Sequence, residues 1–152
     1  MVYMATFLGF YVLARVYAKG VINSLNTFTA RSVQIAANLL GLNVSAFSSH
    51  LTVKDFSIQI IVECTGLFAV FVFLACVLAY PASPAKKAVG VSGGIVAIYF
   101  LNMIRLIFLI LIGLWAPDYF DFVHVYLWEV FFIIVVIVLW MTWLTRVVKS
   151  VR

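Results

Sequence analysis

The sequence predicts an all-α integral membrane protein with about four transmembrane helices, an interfacial amphipathic helix and a small extracytoplasmic hairpin. Three observations carry that expectation. Of the 152 residues, 66% are hydrophobic and 10% charged, and the mean hydropathy of +1.21 lies well above that of soluble domains. A spanning helix takes about 20 apolar residues, so the length holds roughly four to five spans and little else. Between Val44 and Val62 the apolar runs give way to strand-like alternation. One membrane-embedded domain over residues 1–152 is therefore expected.

The formal net charge of +5 invites a nucleic-acid reading, which the distribution of charge opposes. Lys86, Lys87, Arg146, Lys149 and Arg152 stand just beyond the ends of apolar runs, as cytoplasmic anchors do. No nucleic-acid partner is expected, and membrane lipid is. Two cysteines, Cys64 and Cys76, are too few for a disulfide framework.

In order, Met1 to about Tyr17 reads as an uncleaved first span, without a basic region before it. From Asn26 to Leu42, Arg31, Gln34 and Asn38 recur opposite Val33, Ile35, Ala36, Leu39 and Leu40. That period predicts an amphipathic helix in the interface, closed by Gly41; a short tilted span is the competing reading. Leu51 and Val53 alternate with Thr52 and Lys54, and Phe56, Ile58, Ile60 and Val62 with Ser57 and Gln59, predicting a hairpin that turns near Lys54-Asp55 and lies outside the hydrocarbon.

Thr65 to Tyr80 is the second span, ended by Pro81, Pro84, Lys86 and Lys87. Ala88 to Trp115 is the third, with Gly90 and Gly94 forming a small-residue seam for close helix contact. Ala116 to Asp121 reads as an acidic, aromatic outer loop, and His124 to Leu144 as the last span.

Candidate functional residues come from Glu63-Cys64-Thr65-Gly66 at the mouth of the second span. A cysteine at a helix N-terminus is favoured as thiolate by the helix dipole. Counting about 1.5 Å per residue from the cytoplasmic edges puts Cys64 about 24 Å above Tyr80 and Arg105 about 27 Å above Lys87, with His124 about 27 to 33 Å above Thr142 to Arg146. All three reach the outer edge of a core about 30 Å thick. An unpaired arginine in an apolar run costs at least about 2.5 to 3.5 kcal/mol. Either Arg105 snorkels outward or pairs with Glu129 or Glu63, or it faces a polar cavity with Asn102 one turn earlier.

A Cys-His pair lets imidazole accept the thiol proton, and an arginine aimed at a carbonyl oxygen stabilises an oxyanion. Glu63 is expected to turn toward a cation or to assist proton transfer. Asp121, three before His124, orients the ring or is a solvated acid. Glu129 is read as a supporting partner deeper in the last span, and Cys76 as packing. Cys64 and His124 give two ligands where zinc sites use three or four, so neither metal nor cofactor is expected.

Glu63-Cys64-Thr65-Gly66, Asn102-Met103-Ile104-Arg105 and His124 within Phe120 to Trp128 resemble the exosortase/archaeosortase family of membrane cysteine transpeptidases. With Pro81-Ala82-Ser83, they are most similar to its short exosortase H type. The likeness runs from about Val53 to Leu144. It implies a cysteine protease/transpeptidase of the bacterial inner membrane, multi-pass, with its site facing the periplasm. Cys64 would be the nucleophile, Arg105 the oxyanion or positioning residue and His124 the acid/base. The implied substrate is an exported protein with a C-terminal motif, a transmembrane helix and a basic tail. The alternative is a small membrane transporter or assembly subunit in which Arg105 is a structural or ion-pathway charge.

Overall fold

The computed structural model describes residues 2–149, with side chains from Lys19 onward. Helix α1 (Val2–Leu39) runs unbroken for 38 residues. The expected first span and the expected interfacial helix are therefore parts of one element, a correction to the sequence reading. The physical reason is that only Gly20 interrupts the stretch between them, and a lone glycine costs a helix about 1 kcal/mol. The side chains of the expected first span lie outside the described residues.

Gly41, with φ +83°, closes α1 as expected. The amide of Leu42 donates to the carbonyl of Ala37 and that of Gly41 to Asn38, at 3.0 Å each, which is the Schellman arrangement. The buried face of α1 is Asn26, Thr29, Ala30, Val33 and Ala37. Ile35, Leu39 and Leu40, on the expected apolar face, are exposed, as side chains turned toward lipid are. Gln34 and Asn38 instead donate to the carbonyl of Val44, and the Asn38 carbonyl oxygen accepts from the Val44 amide at 2.7 Å. That polar clasp turns the chain back onto the helix.

The alternating segment forms a three-stranded antiparallel meander: β1 (Ser45–Phe47), β2 (His50–Val53) and β3 (Phe56–Gln59). The turn at Lys54-Asp55 is where the alternation predicts it, since Val53 pairs with Phe56. β1 is an additional strand, joined to β2 by Ser48-Ser49 with Phe47 opposite His50. Ser48 and Lys54 take φ of 55° and 52°, as tight hairpin turns require. Leu51 and Val53 point inward while Thr52 and Lys54 are exposed.

A 3-10 turn (Val62–Thr65) leads through Gly66 to helix α2 (Leu67–Ala79), 13 residues long. Helix α3 (Pro84–Trp115) starts earlier than the hydropathy predicts, with proline in its first turn, where a missing N–H costs nothing. Lys86 and Lys87 then reach the last carbonyls of neighbouring helices, Val148 and Leu78, at 2.9 and 2.6 Å. Cations favour helix C-termini.

The expected outer loop is helical, a second correction. Helix α4 (Pro117–Val148) opens with a 3-10 turn at Pro117–Tyr119, and Asp118 and Asp121 sit in its first turns, where proline and acids are favoured. A π-helical stretch, Val123–Leu127, precedes the regular portion Trp128–Trp143. Among the described residues α3 and α4 are long and apolar enough to cross a membrane, and α2 is apolar but shorter.

Two apolar clusters hold the helices together. The lower one joins Phe73 and Val77 of α2, Ile98 of α3, and Val136 and Trp143 of α4. Gly90 and Gly94 do form its seam, but each admits an aromatic ring from another helix, Trp143 and Phe73 respectively. The upper cluster packs Ala30, Val33 and Ala37 of α1 with Leu51, Val53, Met103, Leu106, Val123 and Trp128. Cys64 is part of this upper cluster.

Candidate active site

The cysteine is held by its backbone. Its amide donates to the Ile61 carbonyl at 2.9 Å, and its own carbonyl accepts from Asn102 Nδ2 at 2.8 Å in a buried bond. Gly66 has φ +74°, and a Cβ there would lie 3.3 Å from Asn102 Cβ and Cγ, so glycine meets both the left-handed backbone and the close approach. Thr65 Oγ1 donates to the Val62 carbonyl at 2.6 Å and fixes the turn. We expect Asn102→Leu to leave the Cys64 carbonyl without its donor at a cost of about 1–3 kcal/mol. A lowered midpoint of thermal unfolding in detergent checks this.

Cys64 does not stand in the first turn of an α-helix, which corrects the dipole argument. It belongs to the 3-10 turn, and α2 begins at Leu67 beyond the left-handed Gly66. Dipole effects fade within about one turn of a helix end. The thiol's partner is a side chain: Cys64 Sγ lies 3.7 Å from His124 Nε2, across 60 residues of chain.

The histidine is positioned by aromatic stacking and by the irregular start of α4. Its ring stacks on Phe120 with centroids 5.6 Å apart and planes 8° from parallel. Phe120 meets Phe56 of β3 edge-on at 5.4 Å, and the Phe56 ring fills the space left by Gly113. The meander thus supports the imidazole through two phenylalanines. The π stretch at Val123–Leu127 re-aims the side chains of this turn, a common device at functional sites.

Arg105 is buried at 7% exposure, so the snorkelling alternative does not hold. Its guanidinium carbon lies 5.8 Å from the Trp128 ring centroid and 5.4 Å from that of Phe132, both distances typical of cation–π contact. Glu63 and Glu129 are exposed, and among the described residues neither pairs with it. It is within electrostatic reach of Cys64 and His124. Three buried polar atoms around this centre, Asn102 Oδ1, Arg105 Nε and Trp128 Nε1, have no hydrogen-bond partner among the described residues.

Of the residues singled out from the sequence, Cys64, Asn102, Arg105 and His124 converge. Thr65 serves the turn. Asp121 is exposed yet within electrostatic reach of His124. Glu63 and Glu129 stay on the surface. Cys76 is a free, half-buried cysteine on α2. Among the described residues no group of three His, Cys, Asp or Glu is placed to hold a metal. Sequence reasoning missed Phe120, Trp128 and Phe132; the four-residue spacing of Trp128 and Phe132 is the signal that marks one face of α4.

A mostly helical membrane protein with a buried thiol, a buried guanidinium and a half-buried imidazole drawn from three separate elements is the class that this fold and site define. The sequence profile of the transmembrane exosortase family matches residues 2–144, and the chain belongs to that family. The match also extends the likeness through α1, beyond the Val53 to Leu144 stretch that the motifs delimit. Comparison with curated proteins and with solved structures gives no match.

Proposed function

We propose that the chain is a cysteine protease/transpeptidase that cuts C-terminal sorting signals from exported proteins through a thioester. The observation that carries this reading is the 3.7 Å approach of Cys64 Sγ to His124 Nε2 beside the buried Arg105. Family membership supports the activity class. The substrate, an exported protein with a C-terminal motif, a transmembrane helix and a basic tail, is our inference. So are the bacterial inner membrane, the periplasm-facing site and four crossings, one by each of α1 to α4.

In the first half-reaction His124 accepts the thiol proton and Sγ forms a bond to the scissile carbonyl carbon. The carbonyl π electrons move to oxygen, where Arg105 stabilises the charge. When the oxyanion collapses, the C–N bond breaks and the departing amine takes the proton from imidazolium. A thioester remains. An amine or water then attacks it, His124 takes the attacker's proton, and Sγ leaves as thiolate that recovers the proton.

The test is coexpression with a protein bearing such a signal. Wild-type chain should give a product shortened by the helix and tail, and Cys64→Ala should give none; processing by Cys64→Ala would defeat the assignment.

A further inference from the structure

Arg31 and Glu129 are charges that the proposed reaction does not employ. Both side chains are exposed. Among the described residues neither forms an ion pair. Exposure here means facing the surroundings of membrane helices, where a lone charge is costly and is usually paired.

Their depths lie within about 3 Å of each other, a gap that long side chains span. Trp143 Nε1 donates to the Lys86 carbonyl at 2.9 Å, so α4 at Trp143 is level with the start of α3. Glu129, fourteen residues back along α4, lies about 21 Å above that level at 1.5 Å per residue. On the other side, Phe28 of α1 meets Tyr99 of α3 with ring centroids 6.2 Å apart. Tyr99 is thirteen residues past Lys86, or about 20 Å up, and α1 rises alongside α3, which puts Arg31 about 24 Å up.

The surroundings of each charge fit a helix–helix contact. Arg31 borders an open, shallow groove on the surface of α1 alone, with Asn23, Ser24, Thr27 and Phe28. Glu129 is flanked by exposed Tyr126, Val130 and Ile133. α1 packs on α3, whereas α4 packs on α2 and α3, so the two patches belong to different sides of the bundle. A second copy inserted in the same direction brings one patch to the other at nearly equal depth.

We infer that the chain self-associates head to tail, with Arg31 in the α1 groove of one copy paired to Glu129 on α4 of the next. Because the contact is heterologous, it either closes into a ring or propagates. A partner of other composition would need an acid at this one depth opposite α1 and a base at the same depth opposite α4; the chain itself supplies both.

The test uses the full chain, coexpressed in two differently tagged forms and co-purified in mild detergent. Wild-type copies should co-purify, and R31E or E129R should lower recovery about tenfold or more. The double variant R31E/E129R should restore it, which also shows that both substitutions permit folding. Should the reversals fail to insert, R31Q and E129Q, which remove charge without reversing it, should each still lower recovery. Recovery unchanged in the single variants, or a wild-type chain that runs only as one copy, overturns the inference. Loss of processing with recovery intact would bear on the proposed reaction instead.

Discussion

Replacing Cys64 by alanine is expected to reduce processing of a signal-bearing substrate by about 10³-fold or more, the range seen when a nucleophile is removed. His124→Ala should cost about as much, and the double variant little more than either, because a nucleophile and its base act as one unit. In the proposed reaction Nε2, 3.7 Å from Sγ, takes the thiol proton. Cys76→Ala should process normally. That contrast is informative because both cysteines are free, and only one has an imidazole beside it. The measurement is the fraction of coexpressed substrate converted to the shortened form.

Arg105→Lys is expected to lower kcat by about 10²–10³-fold, the cost of losing one oxyanion-stabilising group. Charge alone should not suffice. The guanidinium carbon lies 5.8 and 5.4 Å from the Trp128 and Phe132 ring centroids, and a planar group stacks on aromatic faces in a way that a compact ammonium does not. A transporter or assembly subunit with Arg105 as a structural charge predicts the opposite, tolerance of lysine. Processing rates of the two forms at matched membrane abundance decide between them.

Much of this site was legible because membrane helices convert sequence position into depth. Cys64, Arg105 and His124 shared a level by counting alone, and in the fold they share the upper end of the bundle. Asn102 stands one turn before the arginine by spacing alone, and its bond to the Cys64 carbonyl shows that its amide serves the cysteine's backbone. What the count does not contain is direction around each helix. Glu129 points outward although it lies inside an apolar run, and a five-residue offset from His124 across a π stretch does not translate into an angle. Phe56 and Phe120 were invisible as supports because their contact with His124 depends on how the meander sits over α4. Hydropathy likewise did not separate a loop from a helical turn at Pro117 to Asp121. Proline and acids suit both, and only the packing of Phe120 selects the helix.

The claim that Cys64 is reactive through its partner is tested most directly by alkylation. In membranes bearing the full chain, Cys64 should label with a small thiol reagent at least about tenfold faster than Cys76 at neutral pH, and His124→Ala should remove the difference. Equal, slow labelling of both cysteines in the wild-type chain, or a rate at Cys64 that is indifferent to His124, would contradict the account.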